Sequence, residues 1–191
     1  MNGTTGFADG AGRKNGFSLV EILAALVITV VVAAFVIPMA FGKISDASVD
    51  RQSATLTMLA QATMTYHDQV GMWPGSLKQL TTVPAAGDLN LCGNAMAAKD
   101  VAKWQGPYVS FPITGDISIE GNTILAALAR NPAASSAPGE LQISLEFTTT
   151  AIATSIQTKL DTDASSSTGV IQWTGSDPNV VVTYNLPVTG C

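Results

Sequence analysis

The chain has 191 residues, of which 47% are hydrophobic and only 12% are charged, about half the charged share that is usual for a soluble domain. The length suffices for one domain of ordinary size plus an accessory segment. The net charge of −5 excludes an overall basic footprint for duplex nucleic acid, so we predict no specific nucleic-acid partner. A weakly charged composition suits an extracytoplasmic protein better than a cytosolic enzyme.

Residues 1–16 are polar and glycine-rich, without apolar periodicity, so they form neither a core nor a membrane span. Arg13 and Lys14 stand directly before a long apolar run, and the positive-inside tendency places such a pair in the cytoplasm. We interpret 1–16 as a processing segment and leave it out of the fold.

The apolar run predicts one membrane-spanning helix over 17–42. From Ile22 to Phe41 there is no charge, and about 20 such residues in a helix cross the hydrocarbon core of a bilayer. The simpler alternatives are a secretory signal peptide, which usually has a shorter run and a small-residue cleavage site, an ordinary signal anchor, and a buried core helix.

Glu21 does not fit an ordinary anchor, because a carboxylate at the edge of a membrane segment is costly unless it is paired or hydrated. The only basic residues nearby are the cytoplasmic pair. A cut between Gly16 and Phe17 would create a new α-amino group in the membrane interface, and its positive charge would offset that cost.

The hexapeptide G-F-S-L-V-E at 16–21 resembles the processing site of type IV prepilins and type II secretion pseudopilins. The similarity covers 13–41 and includes the basic pair, the residues on both sides of the cut, a Glu as fifth residue and Pro38 as twenty-second. It implies that a prepilin peptidase cuts after Gly16 and that the amine of Phe17 is methylated. Glu21 would then neutralise the amine of a neighbouring subunit. The subfamily stays open, since the 16-residue leader indicates one subfamily and Phe17 as the first mature residue indicates another.

The resemblance implies a structural pilin of a type IV pilus, not an enzyme. The chain would wait in the bacterial inner membrane, with a cytoplasmic N terminus, and then enter an extracellular filament. A pseudopilin in a periplasmic type II secretion pseudopilus is the first alternative, and an uncleaved membrane-anchored binding protein or enzyme is the second. The implied partners are copies of itself and related pilins, prepilin peptidase, the inner-membrane assembly machinery, and lipid before assembly. Adhesion, motility, DNA uptake and export stay open as roles.

Pro38 lies inside the predicted helix, where it removes a backbone hydrogen bond and clashes with the carbonyl of the preceding turn. We therefore expect a bend near 34–38, and the resemblance implies that this flexibility helps subunits to pack.

Residues 43–70 are predicted to continue the helix as an amphipathic half, which ends at Gly71. One stripe at three- and four-residue steps comprises Val49, Leu56, Leu59, Ala60, Thr63, Tyr66 and Val70. The predicted outer face comprises Asp46, Asp50, Arg51, Gln52, Gln61 and Gln69.

Residues 71–191 are predicted to form a globular head domain. The patterns predict short helices over 76–80, 94–104, 123–130 and 151–160, and strands over 108–111, 116–120, 141–147, 170–174 and 180–186. The clearest alternation, Leu141 to Phe147, predicts a half-buried strand. The fold class is therefore α+β, with a long N-terminal helix packed on an antiparallel sheet of about four strands, which is also the pilin-like architecture that the resemblance implies.

Cys92 and Cys191 are the only cysteines, and no C-x-x-C motif exists. If the head is extracytoplasmic, we expect one disulfide between them, and two free thiols are the alternative. A closed loop of about 100 residues is worth roughly 4–5 kcal/mol in the chain-entropy model.

No sequence motif marks a catalytic or phosphate-binding site, and we predict no cofactor and no metal. His67, the only histidine, is expected at the surface or boundary. Asp161 and Asp163 are interpreted as solvated loop residues, with a calcium site as the alternative. The S-D-P-N at 176–179 lacks the Trp-Gly that follows in the calcium loop of some pseudopilins. The three tryptophans, Trp73, Trp104 and Trp173, are expected to pack in the core or at its boundary.

Overall fold

The structure is a computed structural model that describes residues 18–131, 139–163 and 165–188, without the side chains of 35–45. The chain divides into two compact units, with the boundary between Ile44 and Ser45.

The longest element is helix α1, Leu19–Val70, with 52 residues. Its bounds agree with the predicted continuous helix, and α1 includes Pro38, whose side chain lies outside the described residues. The expected bend near that residue stays a prediction. In the part of the chain that is described, no helix is both long and apolar enough to cross a membrane. The predicted span over 17–42 is only partly described, because Phe17 and the side chains of 35–42 lie outside the described residues.

The predicted apolar stripe of α1 is confirmed, because all seven of its residues are buried. Gln52 is the exception on the predicted outer face, since its side chain is fully buried. It lies three residues after Val49 and four before Leu56, so the helical period places it on the inward stripe. Its Nε2 donates a hydrogen bond of 3.1 Å to Ser48 Oγ.

Four threonines of this half donate their hydroxyls to the backbone carbonyl four residues earlier, at 2.8–2.9 Å. They are Thr55, Thr57, Thr63 and Thr65. The hydroxyl donors of these four threonines are therefore satisfied within the helix.

The described residues of the head form a 3-10 helix, two further α-helices and six strands. The helices are the 3-10 helix Leu77–Leu80, α2 Ala98–Val101 and α3 Thr150–Leu160. The strands are β1 Ile117–Ile119, β2 Asn122–Ile124, β3 Ala129–Asn131, β4 Gly139–Thr148, β5 Ile171–Thr174 and β6 Val180–Val188.

The strands form one antiparallel sheet in the order β1-β2-β4-β6-β5, with β3 also paired to β4. Strand β4 is central: β6 follows one of its edges from Gly139↔Val188 to Leu145↔Val182, and β2 and β3 share the other edge. The α+β class is confirmed, whereas the expected count of about four strands is too low.

The predicted helix over 123–130 is wrong, because this segment contributes β2 and β3. Ile124 pairs with Leu145, and Arg130 pairs with Leu141, so pairing with β4 overrides the local helical pattern. The predicted strand over 108–111 is also wrong. The N–H of Tyr108 donates to the carbonyl of Leu80 at 2.8 Å, so this segment pairs with the 3-10 helix and not with the sheet.

One hydrophobic cluster joins the α1 stripe to the inward faces of the sheet and α3. The sheet and α3 contribute Leu141, Ile143, Leu145, Ile171, Val180, Val182, Ala153 and Ile156. Because burial of apolar area is the main favourable term in folding, this cluster fixes the head half of α1 against the sheet.

Candidate functional site

Helix α1 begins directly after the predicted processing site. The carbonyl of Ser18 accepts the N–H of Glu21 at 2.9 Å and that of Ile22 at 3.2 Å, which closes the first turn. The Glu21 side chain is exposed, and the described residues offer it no ion-pair partner. Gly16 and Phe17 lie outside the described residues.

The first turns of α1 carry an apolar surface. Ten large apolar side chains between Leu19 and Val32 are 51–75% exposed. They are Leu19, Val20, Ile22, Leu23, Leu26, Val27, Ile28, Val30, Val31 and Val32. The hydroxyl of Thr29 donates to the carbonyl of Ala25 at 2.7 Å, so this polar side chain is satisfied within the helix. An apolar surface of this extent indicates contact with protein or membrane.

Two ion pairs connect neighbouring residues of α1 to different parts of the head. Asp50 pairs with Lys159 near the end of α3, and Arg51 pairs with Glu120 in the turn between β1 and β2. Both pairs are exposed, so each contributes at most about 1 kcal/mol to stability. No local sequence pattern predicts these pairs, because the partners are far apart along the chain.

Asp161 and Asp163 organise a loop. Asp161 accepts the N–H of Ile171 at 3.0 Å and that of Asp163 at 3.1 Å. Asp163 accepts the N–H of Ser165 at 2.9 Å and also the hydroxyl of Thr168. The backbone N–H of Ile171, followed by that of Asp163, lowers the pKa of Asp161 below its ordinary value. Within the described ranges, no group of three or more His, Cys, Asp or Glu is placed to hold a metal ion.

His67 lies at the boundary of the head, as predicted, and the three tryptophans pack in the core or against it. The ring of His67 stacks on Trp73 with centroids 4.0 Å apart. The indole N–H of Trp104 donates to the carbonyl of Gln79, and that of Trp173 donates to Gln157 Oε1, both at 2.9 Å. All these contacts lie inside the head.

Cys92 is partly buried against the hydrophobic cluster, beside His67 and Trp73 at a small cavity of about 160 Å³. Cys191 lies outside the described residues. The disulfide between Cys92 and Cys191 therefore stays a prediction.

The comparisons with known proteins identify the N-terminal segment. A family profile described as "Prokaryotic N-terminal methylation motif" matches residues 12–37. The matched stretch contains Gly16, Phe17 and Glu21, and Pro38 follows it directly. No curated protein and no solved structure matches the chain. The chain therefore carries the prepilin-type N-terminal signal of type IV pilins and pseudopilins.

Proposed function

We propose that this chain is the structural subunit of a type IV pilus, without catalytic activity of its own. One observation carries the proposal: the methylation motif at 12–37 runs into a helix whose first turns expose ten apolar side chains. A cleavage signal followed by an apolar helix suits a subunit that is first stored in lipid and then packed against its neighbours.

The chemistry of assembly rests on two charges. Prepilin peptidase cuts after Gly16, and the new amine of Phe17 is methylated but stays positive. Glu21 of one subunit pairs with the Phe17 amine of its neighbour and sets the register between them. The carboxylate is tolerated in an apolar setting because this pairing offsets its desolvation cost.

The remaining features fit this route. The chain sits in the bacterial inner membrane with a cytoplasmic leader, and the inner-membrane assembly machinery then extracts it into the filament. Pro38 gives the helix local freedom to bend as subunits pack. A disulfide between Cys92 and Cys191 stabilises the head once it is outside the cytoplasm.

Mass spectrometry of the mature N terminus tests the proposal directly. We expect a chain that begins at N-methylated Phe17 and lacks the first 16 residues. A mature protein that keeps Met1 would instead support an uncleaved membrane-anchored binding protein or enzyme.

The alternative on the same motif is a pseudopilin of a type II secretion system. The location and length of the fibres discriminate between the two. Long filaments on the surface of intact cells, labelled by an antibody against the head, are expected for a pilin. Short fibres confined to the periplasm, together with a loss of protein export on deletion, would contradict the pilus and identify a pseudopilin.

A further inference from the structure

A cavity of about 440 Å³ lies in the head beside the 3-10 helix Leu77–Leu80. Small-molecule sites commonly have volumes of about 300–1,000 Å³, so this cavity is large enough for a ligand. Residues from two stretches line it, within 75–79 and within 82–89. The proposed route of assembly involves neither stretch, so the cavity calls for an explanation of its own.

Backbone contacts hold both sides of the cavity in place. The N–H of Gly87 donates to the carbonyl of Met96 at 2.9 Å, and the N–H of Met96 donates to the carbonyl of Asp88 at 2.8 Å. On the other side, a Cβ atom at Gly75 would lie 2.2 Å from the carbonyl oxygen of Leu89, so only glycine permits this close approach. The cavity is therefore formed by the folded head, and binding there needs little ordering of the backbone.

A buried amide group is open to this cavity. The side chain belongs to Gln79, which is only 8% exposed and lines the cavity. Its Oε1 accepts the N–H of Gly75 at 2.9 Å, and this bond fixes the orientation of the amide. Within the described residues, Nε2 is neither hydrogen-bonded nor fully shielded, so it is a donor that a ligand can use. A largely buried donor without an acceptor is costly, and an acceptor on a ligand removes that cost.

Three further donors line the same cavity. Lys78 has no carboxylate partner in the part of the chain that is described. The hydroxyls of Ser76 and Thr82 make no hydrogen bond to a described residue. The one carboxylate at the cavity is that of Asp88, whose Oδ2 already accepts the N–H of Ala85 at 2.8 Å. Several donors around an unpaired cation favour a ligand with a carboxylate, which only accepts hydrogen bonds and is negatively charged.

The rim of the cavity is aliphatic. Val83 is 53% exposed and Leu89 is 60% exposed, and both line the cavity. Exposed aliphatic side chains beside a cluster of donors favour a ligand that carries an apolar group close to its carboxylate. Among the described residues that line the cavity there is no aromatic ring. Because sugar rings commonly stack on aromatic side chains, this lining suits an aliphatic group better than a sugar.

We propose that this cavity binds the carboxyl end of a peptide chain whose last residue is aliphatic. Lys78 and the Nε2 of Gln79 hold the carboxylate, and the aliphatic side chain packs on Val83 and Leu89. Capture of a C-terminal carboxylate is a recurring mode of peptide recognition. The inference goes beyond the pilus function and does not depend on it, because the cavity lies within the head of a single chain.

A titration of the isotope-labelled full-length protein in detergent with N-acetyl-alanyl-leucine tests the proposal. We expect NMR shifts of backbone amides confined to 75–89, with a dissociation constant on the order of 0.1–1 mM for so small a ligand. The carboxamide of the same peptide should bind about tenfold more weakly, because it loses the charged hydrogen bonds. Equal binding of acid and carboxamide, shifts only outside 75–89, or no shifts well above that concentration would contradict the proposal. Binding of N-acetylglucosamine in place of the peptide would identify a sugar site and also contradict it.

Two variants assign the carboxylate to its partners. Lys78→Met should weaken binding of the peptide about tenfold. Lys99→Met is the matched control, since Lys99 is an exposed lysine of α2 outside the cavity, and should leave binding unchanged. Gln79→Glu keeps an acceptor for the N–H of Gly75 but repels a carboxylate, so binding should be lost. Unchanged amide shifts outside 75–89 check that each variant is folded. Full binding by Lys78→Met, or equal losses in the two lysine variants, would overturn the proposal.

The test is separate from that of the pilus function. A processed chain that forms filaments and binds no peptide defeats only this inference. An unprocessed chain without filaments that still binds the peptide defeats only the pilus function.

Discussion

The two halves of α1 differ in whether their apolar side chains are exposed or buried. Between Ser18 and Ala34, none of the side chains is buried, although most are apolar. Between Val49 and Val70, the apolar residues form one stripe, and that stripe is buried in the head. A helix with a single apolar stripe can be satisfied by its own domain, whereas a helix that is apolar all round needs lipid or other helices. One continuous element therefore contains a part that packs in the head and a part whose apolar side chains are exposed.

The largest expected effect is that of a substitution at Glu21, in the exposed half of α1. We expect Glu21→Ala to lower the yield of filaments by about 100-fold, because the Phe17 amine of the neighbour loses its counter-ion at a cost of about 3 kcal/mol. Counting sheared filaments by electron microscopy measures the effect. Glu21→Asp keeps the charge and should retain part of the yield. Normal assembly of Glu21→Ala would remove the proposed charge pair.

Two leucines of α1, one buried and one exposed, compare how much each half of the helix contributes to the stability of the head. Leu59→Ala should lower the free energy of unfolding by about 2–5 kcal/mol, because the side chain is fully buried. Leu26→Ala, at a site that is 57% exposed, should change it by less than about 0.5 kcal/mol. Tryptophan fluorescence during urea unfolding follows the head alone, since all three tryptophans lie in it. Equal effects of the two variants would mean that the two halves are not distinct in stability.

Acid should weaken the head through three carboxylates. The side chain of Lys103 lowers the pKa of Asp100, backbone N–H donors lower the pKa of Asp161, and the hydroxyl of Thr150 lowers the pKa of Asp177. A lowered folded pKa contributes stability that is present above the unfolded value of 3.8 and is lost as pH falls through the folded value.

We therefore expect the urea midpoint of the head to be flat near neutral pH and to fall below about pH 4. Asp177→Asn should make this fall shallower, because one of the three carboxylates no longer takes up a proton. Asp46→Asn, on the exposed part of α1, is the control and should leave the slope unchanged. An unchanged slope in Asp177→Asn would show that Asp177 has no part in the acid response.

The smallest effect concerns the exposed ion pairs of α1. Arg51→Ala should cost at most about 1 kcal/mol in the free energy of unfolding, because solvent and salt screen its pair with Glu120. Adding 1 M NaCl should shrink the difference between this variant and the wild type. Lys159→Ala tests the second pair in the same way. A loss that approaches the Leu59→Ala value would mean that surface charge, and not the buried stripe, holds α1 on the head.

Short-range patterns predicted much of this fold. The α1 stripe and α3 follow from a helical period, and β4 from strict alternation, because each pattern reports which side of a local element meets the core. The segment 123–130 misled the prediction, since its strands exist only through pairing with β4. Gln52 is buried although it is polar, because its position on the helix, and not its side-chain chemistry, decides which face it lies on.

The candidate site was predictable for a different reason. The methylation motif is recognised as linear sequence, so its residues Gly16, Phe17 and Glu21 could be proposed without any knowledge of the fold. The 57% exposure of Phe147 could not be predicted, because it depends on a register shift between β4 and β6. No local pattern records a register shift between two strands that lie far apart in the sequence.

The threonine hydroxyls of α1 make the same hydrogen bonds whatever surrounds the helix. A hydroxyl that already bonds its own backbone, as in Thr55, Thr57 and Thr65, leaves a methyl group as a main contact with the outside. When a neighbouring molecule replaces water, none of these three hydroxyl donors needs a new acceptor, so their dehydration is cheap. Before the protein associates with a neighbour, the same oxygens can accept hydrogen bonds from water and keep this surface hydrated. The helix can thus change its environment without changing its own hydrogen bonds.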